Sequence, residues 1–108
     1  MELTGTGYKP RNARYVYEKT VRLRASHRGR FEESPEGTVR DVSLTGVALN
    51  ISTNVANGQF VEMHIEGVGS ISGSVARTYN GGAAVHFDDD EETRRRVAET
   101  IGSLNRLA

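Results

Sequence analysis

The sequence predicts an all-β fold: a six-stranded antiparallel β-barrel with a C-terminal α-helix and a flexible N-terminal tail. Two patterns support this prediction. Apolar and polar residues alternate in six short segments, and turn residues separate these segments at short intervals. A third pattern begins after residue 90, where the spacing of apolar residues changes to the helical period. A chain of 108 residues with these patterns builds one domain.

The first 14 residues contain glycine, threonine and arginine without apolar periodicity. Residues 1–14 are therefore expected to form a flexible basic segment, and residues 15–108 the barrel domain with its helix. The first barrel strand is expected where Val21, Leu23 and Ala25 alternate with arginines. Residues 27–37 are rich in turn-forming residues and are expected to form a loop.

The remaining five strands follow at short intervals and are separated by glycine-containing turns. They are expected at 38–43, 46–52, 59–66, 70–79 and 83–87. Residues that share one phase of the alternation are expected to fill the barrel. This core set is Val21, Leu23, Val47, Leu49, Val61, Met63, Ile65, Val75, Val85 and Phe87.

A helix of about four turns is expected near the C-terminus. Three aspartates at 88–90 offer an N-cap, and the two glutamates that follow suit the positive end of the helix dipole. Val97, Ile101 and Leu104 recur at helical spacing, so the last two are expected to dock the helix on the barrel.

Charge is divided unevenly along a chain whose formal net charge is zero. Residues 1–30 carry eight cations and two anions, and residues 31–108 carry six cations and twelve anions. The basic first third indicates an anionic partner. Twelve of the fourteen cations are arginines, whose planar fork suits phosphate and guanine edges.

A short polar stretch between two predicted strands contains Asp41, Ser43 and Gly46 in the pattern DxSxxG. The side chains of Asp41 and Ser43 are expected to point to solvent or to a ligand on the outer surface of the barrel. Gly46 is expected to permit a positive φ angle. Taken alone, the stretch is also typical of a tight turn in which Asp41 and Ser43 cap backbone amides.

Arg11 and Arg14, next to Lys9, lie just before the first strand. Flexible arginines in this position can close over a phosphodiester and stack on a purine. Taken alone, they are also typical of a solvated basic tail.

Together these two elements resemble the PilZ domain family over roughly residues 9–107. The signature of that family is an RxxxR element followed, some 20 to 30 residues later, by [D/N]xSxxG, on a six-stranded barrel with a C-terminal helix. Arg14 lies 27 residues before Asp41, and residues 41–46 match the second element fully. The first element is degenerate, because Pro10 stands where the first arginine belongs.

The resemblance implies a non-enzymatic receptor or adaptor for the bacterial second messenger cyclic di-GMP, acting on motility, exopolysaccharide or attachment. It implies a downstream effector protein as partner, and no cofactor, metal or nucleic-acid polymer. The implied ligand-binding residues are Lys9, Arg11, Arg14, Asp41, Ser43 and Gly46. Chemistry agrees with this set, because guanine presents O6 and N7 to arginine and N–H donors to a carboxylate.

Two alternatives remain open, and a third interpretation is disfavoured. The first is a degenerate protein-interaction adaptor that does not bind nucleotide. The second is a small nucleic-acid-binding barrel, although its aromatic residues do not form a stacking pattern. The third is a hydrolase built on Ser43, although the chain lacks a GxSxG elbow.

Other sites and locations receive less support. His64 and His86 are expected on polar strand faces, and the acidic run at 88–92 lacks the spacing of a calcium loop. There is no cysteine, no apolar run of about 20 residues and no apolar signal-peptide region. The cytoplasm is therefore the expected location.

Overall fold

The computed structural model describes residues 13–107, except for the side chains of His27 and of residues 105–107. It contains eight strands and one helix. They are β1 (Tyr15–Val16), β2 (Thr20–His27), β3 (Arg30–Glu33), β4 (Gly37–Val42), β5 (Gly46–Asn50), β6 (Phe60–Ile65), β7 (Gly69–Tyr79), β8 (Gly82–Phe87) and α1 (Glu91–Leu107).

Six of these strands close a barrel, as predicted. The hydrogen-bonded order is β4, β5, β8, β7, β6 and β2, and a short pairing of β2 with β4 completes the ring. Every pairing is antiparallel. The two short strands lie outside the ring, β1 against the end of β4 and β3 against the end of β2.

The barrel interior holds the predicted core. All ten residues of the core set are buried, and Leu23, Leu49 and Val61 are fully inaccessible. Several further residues outside the predicted core set are buried with them. These are Tyr17, Val39, Val42, Ile51, Val55, Ile71 and Ala83.

The helix covers one mouth of the barrel. Val97 and Ile101 are buried, and Leu104 packs against the core while it remains partly exposed. Asp90 caps the helix, because its carboxylate accepts the backbone N–H and the hydroxyl of Thr93 at 2.9 and 3.0 Å. The predicted cap and the predicted docking face of the helix are both confirmed.

The prediction of a loop at residues 27–37 is wrong in part. The chain turns at Arg28 and Gly29, whose φ angles are 52° and 77°, and returns as β3 beside β2. Two consecutive positive φ values are typical of a type I′ hairpin turn. β3 was not predicted from the sequence, because all four of its residues are exposed and it therefore shows no apolar alternation.

Candidate functional site

The DxSxxG stretch joins the end of β4 to the start of β5 on the outside of the barrel. A β-bulge interrupts the pairing of these strands, so that Val39 faces Leu49 and Asp41 faces Ala48, with Arg40 as the extra residue. Strict alternation from buried Val39 would turn Asp41 inward. The bulge shifts the phase, so Asp41 faces outward and Val42 faces the core.

The outward orientation predicted for Ser43 is wrong. Its exposure is 2%, and its hydroxyl lies 3.2 Å from the backbone nitrogen of Gly46 and 3.3 Å from the Gly46 carbonyl oxygen. The backbone N–H of Ser43 also donates to that carbonyl, at 2.8 Å. The Ser43 side chain therefore stabilises the turn, because its hydroxyl is an acceptor for the buried backbone N–H of Gly46.

The positive φ angle expected for Gly46 is also absent from the structure. The glycine is required for another reason: a Cβ at this position would lie 2.5 Å from the carbonyl oxygen of Val85 on β8. Two backbones approach each other closely here, and only a residue without a side chain fits between them.

Asp41 is the residue of the motif whose side chain reaches the surface. It is 19% exposed, and one carboxylate oxygen accepts a hydrogen bond from the Arg14 guanidinium at 2.5 Å. The arginine element and the DxSxxG element, which are 27 residues apart in sequence, are therefore in direct contact. β1 brings them together, because Tyr15 and Val16 pair with Val42 and Asp41.

A second arginine flanks the same carboxylate. The Arg40 Nε lies 3.8 Å from the other oxygen of Asp41, and its guanidinium lies 5.5 Å from the centre of the Tyr79 ring. The Tyr79 hydroxyl in turn donates to the carbonyl oxygen of Leu49 at 2.8 Å. This anchor holds the tyrosine ring, so Arg40 is supported on an aromatic face beside Asp41.

The pairing register extends the site across four strands. Asp41, Ala48, Ala84 and Arg77 are successive partners on β4, β5, β8 and β7. A second bulge, at Ala76 on β7, turns exposed Arg77 outward although it lies two residues from buried Val75. Adjacent strands are about 4.8 Å apart, so the row spans about 14 Å.

The middle of this row lies between charged ends. Ala48 and Ala84 are each only 5% exposed, although neither belongs to the core cluster inside the barrel. Arg14 and Arg40 carry positive charge at one end and Arg77 at the other, against the single carboxylate of Asp41. This arrangement of charges suits a molecule that carries anionic groups near both ends of the row.

Two predicted site residues, Lys9 and Arg11, lie outside the described residues. So does most of the predicted tail at 1–14. Within the described part of the chain, no three histidine, acidic or cysteine side chains form a cluster that would hold a metal ion. His64 and His86 are exposed, as predicted from their strand faces. The helix of the described region is too short and too polar to cross a bilayer.

The candidate site includes five residues that were not predicted from the sequence. They are Arg40, Ala48, Arg77, Tyr79 and Ala84. Arg40 had a signal, because it directly precedes the DxSxxG stretch. The other four lie 7 to 43 residues beyond Asp41 in sequence. Only the register of β5, β8 and β7 brings them beside it.

Comparison with known proteins agrees with this fold. No curated protein matches the chain. Among solved structures, the crystal structure of the PilZ domain of CeSA from a cellulose-synthesizing bacterium superimposes with a TM-score of 0.70. It is 18% identical, and the match covers 87% of this chain and 99% of that one. At this identity the likeness shows the fold. The family comparison matches the PilZ domain over residues 9–101, which is most of the sequence. The chain therefore belongs to the PilZ domain family.

Proposed function

We propose that this PilZ domain is a receptor for cyclic di-GMP and binds it over the row from Asp41 to Arg77. The observation that supports the proposal most directly is the contact between Arg14 and Asp41, which unites the two signature elements at one surface point. When the nucleotide binds, it would have to replace Asp41 as the partner of Arg14 and Arg14 as the partner of Asp41.

The charges of the site match the chemistry of the ligand. A guanine presents N1–H and N2–H₂ donors, which suit the Asp41 carboxylate, and O6 and N7 acceptors, which suit an arginine. The two phosphates of the ligand suit the guanidinium groups of Arg14, Arg40 and Arg77.

Binding would also change how the N-terminal segment is held. β1 is only two residues long and pairs with β4 next to Asp41. The Arg14–Asp41 pair is partly exposed, and such pairs contribute roughly 0 to 1 kcal/mol, so a ligand can displace it at small cost. Transfer of Arg14 from Asp41 to the ligand would reposition the residues before β1, which an effector protein could sense.

A protein-interaction adaptor without nucleotide binding is the second candidate. Two observations favour it: Pro10 occupies the position of the first signature arginine, and Arg14 is already neutralised by Asp41. The two candidates differ in whether the site saturates with nucleotide.

Calorimetric titration of the chain with cyclic di-GMP, and with cyclic di-AMP as a ligand control, separates them. We expect saturable binding of cyclic di-GMP only, because adenine lacks the O6 acceptor and the N2–H₂ donors. Asp41→Ala should weaken binding at least tenfold. Glu62→Ala is the matched control, because Glu62 pairs with Arg24 at 3.1 Å on the outer face of other strands. Absence of saturable binding by the wild type would replace the receptor proposal with the adaptor.

A further inference from the structure

β3 is an edge strand whose backbone is available for pairing. It pairs with β2 on one side, and along its other side no strand pairs with it in the described region. The N–H of Ser34 donates to the carbonyl oxygen of Leu23, so this pair is hydrogen-bonded. Bonded pairs alternate along an antiparallel ladder, so the N–H and C=O groups of Phe31 and Glu33 point away from β2.

The side chains of the edge carry charges of opposite sign at its two ends. Arg28 and Arg30 lie at the start of the hairpin return, and Glu32 and Glu33 lie at its end; all four are exposed. In the part of the chain that the structure describes, none of these four side chains forms an ion pair. Phe31, between the two groups, is 46% exposed, and the Arg24 guanidinium covers one face of its ring at 4.4 Å.

We propose that β3 pairs antiparallel with β3 of a second copy of this chain, so that the protein self-associates through this edge. A strand with a basic start and an acidic end complements itself only when the second strand runs in the opposite direction. A parallel arrangement would set Arg30 beside Arg30 and Glu32 beside Glu32. Charges on an edge strand normally hinder its pairing with a copy of itself. In β3 the charges at the two ends have opposite signs, so an antiparallel copy meets attraction instead of repulsion.

The backbone selects one register for this pair. Only Phe31 and Glu33 present outward groups, so the two-fold axis passes at Phe31, at Glu33 or, when these two residues pair with each other, at Glu32. An axis at Glu32 would place the two copies of Glu32 opposite each other, which is destabilising. An axis at Glu33 would place two glutamates opposite each other, which is destabilising. An axis at Phe31 pairs the two phenylalanines, which exchange both backbone hydrogen bonds. It also sets each Arg30 opposite Glu32 of the other copy, on the same face of the joined sheet.

The surroundings of β3 accommodate this register. A groove of about 370 Å³ lies beside the end of the strand, with Glu32 and Glu33 on one wall and residues 52–55 on the other. In the proposed register, the tip of the partner's hairpin at Arg28 and Gly29 approaches this acidic groove. Four residues per copy form a small interface, so we expect a dissociation constant of roughly 0.1 to 1 mM.

Sedimentation velocity and amide chemical shifts, recorded from about 0.05 to about 2 mM protein without nucleotide, test the proposal. We expect concentration-dependent dimer formation, with shifts concentrated on residues 28–34. Arg30→Glu and Glu32→Arg each turn both charge pairs of the dimer into repulsive pairs, so each should weaken self-association at least tenfold. An equimolar mixture of the two variants restores both attractive pairs and should form a heterodimer. Arg95→Glu, on the exposed face of the helix, is the control for Arg30→Glu, because both substitutions change the net charge by the same amount.

Phe31→Pro provides an independent test that does not alter charge. Phe31 faces Ser26 in a non-bonded pair, so proline removes an outward N–H and leaves the ladder to β2 intact. It should abolish the dimer without lowering the melting temperature by more than a few degrees. A wild type that stays monomeric throughout, or single charge variants that associate as the wild type does, would overturn the proposal. Because no nucleotide is present, this result is independent of cyclic di-GMP binding.

Discussion

Asp41 and Ser43 are two residues apart, yet they serve different purposes. Asp41 faces outward and contacts Arg14, whereas Ser43 is buried and binds the backbone of Gly46. A bulge on one side and a tight turn on the other create this difference. The signature therefore combines one outward-facing residue, Asp41, and two residues, Ser43 and Gly46, that shape the turn.

We expect Ser43→Ala to destabilise the fold by about 1 to 3 kcal/mol, because the buried N–H of Gly46 loses its acceptor. Urea unfolding measures this change. Ser72→Ala on the outer face of β7 is the control and should change the unfolding free energy by less than about 0.5 kcal/mol. If Ser43→Ala unfolded at the same urea concentration as the wild type, the hydroxyl would have no structural role.

Arg14 should matter more for nucleotide binding than Arg11. Arg14 directly precedes β1 and already contacts Asp41, so little conformational entropy is lost when it binds a ligand. We expect Arg14→Ala to abolish measurable binding of cyclic di-GMP and Arg11→Ala to weaken it. Titrations at two salt concentrations measure both effects, and binding should weaken as salt rises. Equal losses for the two variants would contradict this ranking.

At the scale of single elements, the two bulges decide which side chains the site contains. Val39 and Asp41 on β4, and Val75 and Arg77 on β7, are pairs that strict alternation would place on one face. One extra residue in each strand reverses the second member of each pair. Both ends of the charged row therefore depend on a local irregularity of a strand.

The N-cap of α1 makes the stability of the folded protein depend on pH. The pKa of Asp90 is held below its ordinary value of 3.8, first by the Thr93 backbone N–H, then by the Thr93 hydroxyl. The pKa of Glu66 is likewise lowered from 4.5, first by the backbone N–H of Thr20 and then by its hydroxyl. A lowered pKa means that each contribution is complete above the ordinary value and is lost as pH falls through the folded one.

Thermal melts between about pH 2 and about pH 6 test this dependence. Asp90→Asn keeps an amide oxygen that can cap the helix but removes the titration. We expect its melting temperature to fall less steeply with acid than that of the wild type. Glu66→Gln should remove the second, separate part of the slope. A slope that neither substitution changes would assign the acid sensitivity to other groups.

At the scale of the whole molecule, the closed ring and its helix provide the rigid support for the site. The core packs side chains from all six barrel strands, and Leu49 of β5 lies fully buried within it. The outer face of the same strand carries Ala48 in the charged row. Stability and site geometry therefore depend on the same strands.

Leu49→Ala should cost about 2 to 5 kcal/mol of unfolding free energy, because it leaves a cavity in the core. Leu44→Ala is the matched control, since Leu44 lies in the DxSxxG turn and is 40% exposed. It should change stability by less than about 0.5 kcal/mol. Chemical unfolding of both variants measures the difference. Similar losses for the two leucines would contradict the assignment of the barrel interior.

The sequence by itself determined the class of fold, the positions of the six barrel strands, the core set and the capped helix. These features depend on local alternation, on helical spacing and on turn residues, which neighbouring residues in the chain express directly. The sequence also contained the DxSxxG signature and the basic first third. It did not reveal Val39 and Val42 as core residues, because they are three apart and fit no strict strand phase.

Only the tertiary structure decided which of these residues meet and where they face. The contact of Arg14 with Asp41, the burial of Ser43 and the placement of Arg77 all depend on pairing between strands that are distant in sequence. Strand β3 is likewise defined by its partner β2 and not by any pattern of its own. The physical reason is that bulges and register arise from hydrogen bonding to another strand, which no local pattern of residues records.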